Sequence, residues 1–150
     1  MTTQAFDPAT ELKRLLEAGA ISEEALQAIT GIQHERLRAF LDEHAGAPGG
    51  LTARPQVLSG NEIGRLSVLA GQLTEGMHVG DDERLVAIYE SLTIDCRLTA
   101  RNIADLAGLD AGDVDGVLRD PGSLQAEKKY RLALAGGHLI NAVNLARRER

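Results

Sequence analysis

The richest recognition chemistry in this chain lies within six positions: Gln33, His34, Arg36 and Arg38. A glutamine amide can form two hydrogen bonds with the edge of adenine, and an arginine guanidinium can do the same with guanine. Arginine and histidine also offer positive charge to phosphate oxygens. A second polar cluster has the opposite character. Asp110, Asp113 and Asp115 flank Ala111 and Gly112. Three carboxylates repel a polyanion but complement the positive end of a helix dipole, and they can equally offer an acidic face to a protein partner.

Catalytic chemistry is harder to assemble. His34, His44, His78 and His138 are scattered, and none has a second ligand at metal-binding spacing. His34-Glu35 begins like a zinc-protease motif, but Arg38 stands where the second histidine belongs. Cys96 is the sole cysteine and reads as a small buried residue rather than a nucleophile. Gly46-Ala47-Pro48-Gly49-Gly50 lacks the lysine and the flanking strand of a phosphate-binding loop. We expect no enzyme, no metal and no cofactor.

The elements that must position these residues follow from composition and pattern. Apolar residues make up 43% of the 150, and Leu, Ala, Ile and Val supply most of them; Trp is absent, with two Phe and two Tyr. That mixture favours helix over sheet. A single cysteine, no apolar run of membrane-spanning length and no basic-then-apolar leader predict a cytoplasmic protein with no membrane partner. The net charge of −6 opposes non-specific attraction to nucleic acid.

Asp7-Pro8 starts a helix with Leu12, Leu15 and Leu16 on one face, ending at Gly19. Ser22 caps a short helix carrying Ala25, Leu26 and Ile29. Gly31 forms a turn, Ile32 plugs it, and Leu37, Phe40 and Leu41 face inward from the next helix. Ala45 to Leu58 reads as a glycine- and proline-rich loop. Ser59 and Glu62 then form a capping box for a helix with Ile63, Leu66, Leu69, Ala70 and Leu73. Beyond residue 78 the pattern returns: a helix with Leu85, Ile88, Tyr89 and Leu92, a Thr99 cap before Ile103 and Leu106, a turn at Gly108, and Val114, Val117 and Leu118. Ser123 opens a long last helix carrying Leu132, Leu134, Leu139, Ile140, Val143 and Leu145. There Gly136-Gly137 marks a close crossing or a kink.

Without a gap, Ile21–Leu41 lies over Leu98–Leu118 with apolar positions matched and Gly31 on Gly108. The chain is therefore expected to be all-α and internally repeated, with one repeat over 1–78 and a second over 79–150.

A small residue midway along one helix, a glycine turn and locking apolar residues on the next are the marks of a helix-turn-helix. Ile103, Ala104, Ala107, Gly108, Leu109, Val114 and Val117 meet every position. Leu26, Gly31, Ile32, Leu37 and Phe40 match in the first repeat, where Gln27 and Thr30 stand at places usually small. Both segments resemble the helix-turn-helix of prokaryotic and phage repressor-like proteins. The resemblance implies a DNA-binding transcriptional regulator in which Gln33, His34, Arg36 and Arg38 meet DNA. It also implies self-association as a homodimer, for which Leu139, Ile140 and Val143 are the expected contacts. The alternative is a helical interaction module that kept the scaffold without binding DNA, using the acidic face Asp110, Asp113 and Asp115 for a protein partner. Basic residues of the last helix, among them Lys128, Lys129, Arg131, Arg147, Arg148 and Arg150, can add phosphate contacts.

Overall fold

A computed structural model of the chain describes residues 5–44 and 57–147. Most of the expected loop, 45–56, and the terminal basic residues Arg148 and Arg150 lie outside the described residues. Every long element among the described residues is helical: α1 Pro8–Glu17, α2 Glu23–Thr30, α3 His34–His44, α4 Gly60–Leu73, α5 Asp81–Glu90, α6 Ala100–Ala107, α7 Ala111–Arg119 and α8 Ala126–Arg147. The protein is all-α. It divides into two compact units, Met1–His78 and Val79–Arg150, each with its own apolar core.

In the first unit, local chemistry sets the helix starts. Pro8 occupies the first position of α1, while the Asp7 carboxylate takes the Thr10 hydroxyl rather than capping a backbone N–H. The Ser22 hydroxyl accepts from the Ala25 N–H at 3.0 Å. Ser59 and Glu62 complete their reciprocal box at the start of α4. Gly31 closes α2 with φ of +71°, a conformation that costs a residue with Cβ and is free for glycine. Leu12, Leu26, Ile32, Leu37 and Leu66 meet in the core. Leu58, assigned to the loop from its neighbours, joins them fully buried.

The second unit uses the same devices. Thr99 and Asn102 form a capping box on α6, and Gly108 ends it at φ of +67°. Tyr89, Leu92, Ile103, Val114, Val117 and Leu132 form the core. A π-helical turn, Ser91–Asp95, extends α5 and carries Leu92 into that core. The last helix begins later than Ser123: Pro121–Ser123 is a short 3-10 turn, and Gln125 stands at the cap, its carbonyl accepting from the Lys129 N–H. Gly136 marks a close crossing, because a Cβ there would stand 2.7 Å from Ile88 Cγ2 and 3.0 Å from Tyr89 Cε2.

Two apolar assignments fail in the same way. Ile29 and Leu106 are 57% and 66% exposed. In a helix of only two turns the inward line runs from Leu26 to Thr30, four residues on, so the residue at three falls outside it. Leu134, Leu145 and Leu118 also point outward to differing degrees.

Candidate functional site

The α2–turn–α3 segment of the first unit is built around Thr30 and Gly31. The Gly31 N–H donates to the Gln27 carbonyl at 2.8 Å. Thr30, where a small residue is usual, is buried and fully engaged. Its hydroxyl donates to the Leu26 carbonyl at 2.7 Å and accepts from the Ile32 N–H at 3.2 Å. One side chain therefore stitches the turn from both sides. Arg65 of α4 donates to the Thr30 carbonyl at 2.9 Å, satisfying a helix-end acceptor that would otherwise need water. Gln27, the other irregular residue, is exposed and does not obstruct the helix crossing.

This frame presents the start of α3. Gln33 is exposed, and its carbonyl accepts from the Leu37 N–H, so its side chain sits at the helix entrance where a groove-reading residue belongs. His34 and Arg38 lie one turn apart on one side of α3 and share a single carboxylate. Glu23 Oε2 is 3.4 Å from His34 Nε2, and Glu23 Oε1 is 3.5 Å from Arg38 Nη2. Both contacts are long and solvent-exposed, a class of pair that holds its partners weakly. They leave the His34 imidazole and the Arg38 guanidinium available to a stronger partner.

Arg36 departs from the expected role. Its guanidinium grips Glu62 through two hydrogen bonds of 2.7 and 3.0 Å and adds a third to the Val57 carbonyl at 3.3 Å. The Ser59 backbone N–H and then Arg36 pull the Glu62 carboxyl down from 4.5 to about 2. Paired contacts to a carboxylate already engaged in a helix cap tie α3 to α4. Arg36 is thus a brace within the unit rather than a free base-reading side chain. Of the nucleic-acid candidates, Gln33 and Arg38 are exposed and His34 is half-buried beside them.

At the corresponding place in the second unit, the three aspartates do not form one open acidic face. Asp110 caps α7, its carboxylate accepting from the Gly112 N–H at 2.9 Å. Asp113 pairs with Lys128 at 3.2 Å. Asp115 is exposed. No group of three or more His, Cys, Asp or Glu residues is arranged to hold a metal ion among the described residues. Cys96 is half-buried, with Arg147 Nη2 at 3.9 Å from its sulfur.

The expected dimer residues also need correction. Leu139 and Ile140 pack against the core of their own unit, and Val143 is half-buried. These residues lie on the inward side of α8, because the helix is apolar around much of its circumference and spacing alone could not say which side faces in. Sequence reasoning missed Glu23, Arg65 and the brace at Arg36. Only Glu62 carried a signal, as the acidic member of a capping box.

A family model described as a helix-turn-helix domain matches residues 4–149. No curated protein and no solved structure matches the chain.

Proposed function

The chain belongs to the helix-turn-helix domain family, and from that premise we propose that it is a non-catalytic, DNA-binding regulator of transcription, of the repressor-like kind, whose reading element is the entrance of α3. The observation that carries this reading is the exposure of Gln33 and Arg38, with half-buried His34 beside them, on a helix that follows a left-handed glycine turn. Gln33 supplies a base-edge hydrogen-bonding group, His34 a ring N–H donor, and Arg38 positive charge or a guanine contact. Glu23 holds both His34 and Arg38 loosely until a phosphate or base edge replaces it. The second unit repeats the scaffold but puts Asp110 and Asp113 at the entrance of α7, and in this reading it supports rather than reads.

The test is selection of bound duplexes from a random DNA library at low salt, followed by binding of the best duplex to variants. Arg38→Ala should weaken binding by about 1–3 kcal/mol if it reaches a base edge. Affinity should fall steeply with added salt, because phosphate contacts release condensed counterions. Absence of binding by the native chain at low salt would reject the proposal.

The net charge of −6 favours a second reading, an interaction module that binds a protein partner. The exposed Asp115 is its best contact, since Asp110 and Asp113 are engaged within their own unit. Under that reading Asp115→Asn weakens partner binding and Arg38→Ala leaves it unchanged.

A further inference from the structure

Arg65 and Arg131 are each the sixth residue of the long helix that follows their unit's glycine-turned helix pair. Arg65 is tied down: it donates to the Thr30 carbonyl, at the end of α2, at 2.9 Å. Ala107 ends α6 as Thr30 ends α2, directly before the left-handed glycine. Arg131 does not take that second helix end. It has no hydrogen bond or ion pair among the described residues, although Glu127 stands one turn earlier on its own helix.

The same comparison accounts for the space in front of Arg131. Four residues after Arg65, Leu69 packs against the core of the first unit. Four residues after Arg131 the chain has Ala135, and Thr30 is likewise replaced by Ala107. These smaller side chains help to leave a groove of about 400 Å³ at the end of α6, lined also by Leu106, Leu109 and Leu134. Leu106 and Leu134 are 66% and 59% exposed, so its apolar lining faces solvent. Arg131 and His138 are the polar side chains that line it, and both are exposed. No carboxylate lines it: Asp105 stands outside the groove, and Asp110 is turned to the Gly112 N–H.

We propose that this groove binds a small amphipathic carboxylate. Its head group meets Arg131, and its apolar body covers Leu106, Leu109 and Leu134 toward His138. Three features select that chemistry. The guanidinium presents parallel N–H donors that match a carboxylate, and no internal partner has to be displaced. Arg131 and His138 are two helical turns apart, about 10 Å along the axis, with Leu134 and Ala135 between them, so the apolar body is of medium length. The groove volume falls at the lower end of the roughly 300–1,000 Å³ usual for small-molecule sites. A neutral apolar ligand gains nothing from Arg131, and a cationic one is repelled by it. The site lies wholly within the second unit and gives that unit a role of its own, independent of whether α3 reads DNA.

Isothermal titration calorimetry of the full chain with sodium decanoate, below the concentration at which decanoate self-associates, tests the proposal. One equivalent should bind saturably. Decyltrimethylammonium, with the same tail and the opposite charge, should bind at least about tenfold more weakly. Arg131→Gln should weaken decanoate binding by about tenfold, the loss expected for a hydrogen bond to a charged group. Leu134→Gln should also weaken it. Both positions are exposed, so circular dichroism and thermal midpoint should show that each variant still folds. Ala135→Leu, which restores the residue of the first unit, should fill the groove and abolish binding. In nuclear magnetic resonance spectra, decanoate should shift the methyl signals of Leu106 and Leu134 and leave those of Leu12 and Leu66, in the first core, unmoved. A native chain that binds no decanoate, as a protein segment occupying the groove would require, overturns the proposal. So does equal binding of the two amphiphiles, or decanoate binding indifferent to both Arg131→Gln and Leu134→Gln.

Discussion

Arg36 and Asp113 are each the third residue of the helix after a glycine turn, carry opposite charges, and make the same brace. Arg36 pairs with Glu62, the third residue of α4; Asp113 pairs with Lys128, the third residue of α8. Each ion pair ties the helix after the glycine turn to the start of the long helix that follows. The polarity is reversed, so each brace matches its own partner.

The first brace has a consequence in acid. The folded Glu62 carboxyl titrates at about 2 instead of 4.5. A lowered folded value stabilises the protein above the ordinary carboxyl range and loses that contribution as pH falls toward 2. Thermal midpoints measured from pH 6 down to pH 2.5 should therefore fall less steeply for Glu62→Gln than for the native chain. Glu62→Gln should also be less stable than the native chain at pH 7. Equal acid slopes would remove Glu62 from the account.

The glycine pair on α8 predicts opposite signs for one chemical change. Gly136→Ala forces a methyl against Ile88 and Tyr89 and should destabilise the protein by about 1–3 kcal/mol, the usual range for overpacking. Gly137→Ala enters open space and should stabilise the fold by about 0.5–1 kcal/mol through helix propensity alone. Urea denaturation distinguishes the two. Similar effects at both positions would contradict the helix orientation.

Tyr89 gives a probe of the second core. Its hydroxyl donates to the Leu132 carbonyl at 2.7 Å, and burial pushes its phenol up to about 12. Tyr89→Phe should cost about 1 kcal/mol, typical for one net hydrogen bond. The raised value stabilises the fold below pH 10, and that contribution is lost as pH rises through 12. Ultraviolet titration of the native chain should show a step near pH 12 that is absent from Tyr89→Phe. No such step would show Tyr89 to be accessible.

Much of the fold was legible because its signals are local. The caps at Ser22, Ser59 and Thr99 and the turns at Gly31 and Gly108 depend on chemistry within four residues. The inward side of the short helices was less legible: Ile29 and Leu106 satisfy a three-residue step as well as Leu26 and Thr30 satisfy a four-residue one. The site was legible by residue type and not by partner. Arginine is a base-reading side chain in isolation, but Glu62, twenty-six positions from Arg36, holds its guanidinium. Thr30 and Gln27 looked like defects, although one hydroxyl bridges the turn and the other side chain points outward.

In the proposed function α3 reads DNA with Gln33 and Arg38 while Glu23 holds the Arg38 guanidinium in reserve. Fluorescence anisotropy with the best duplex from the selection, across a salt series, measures all three residues at once. Arg38→Ala and Gln33→Ala should each weaken binding by about 1–3 kcal/mol, with sequence discrimination relaxed at one base pair. Glu23→Gln should tighten binding by removing a carboxylate that competes with phosphate, and Asp115→Asn should change it little. Arg38→Ala and Gln33→Ala affinities equal to the native value, with binding lost on Asp115→Asn, would contradict the assignment of α3.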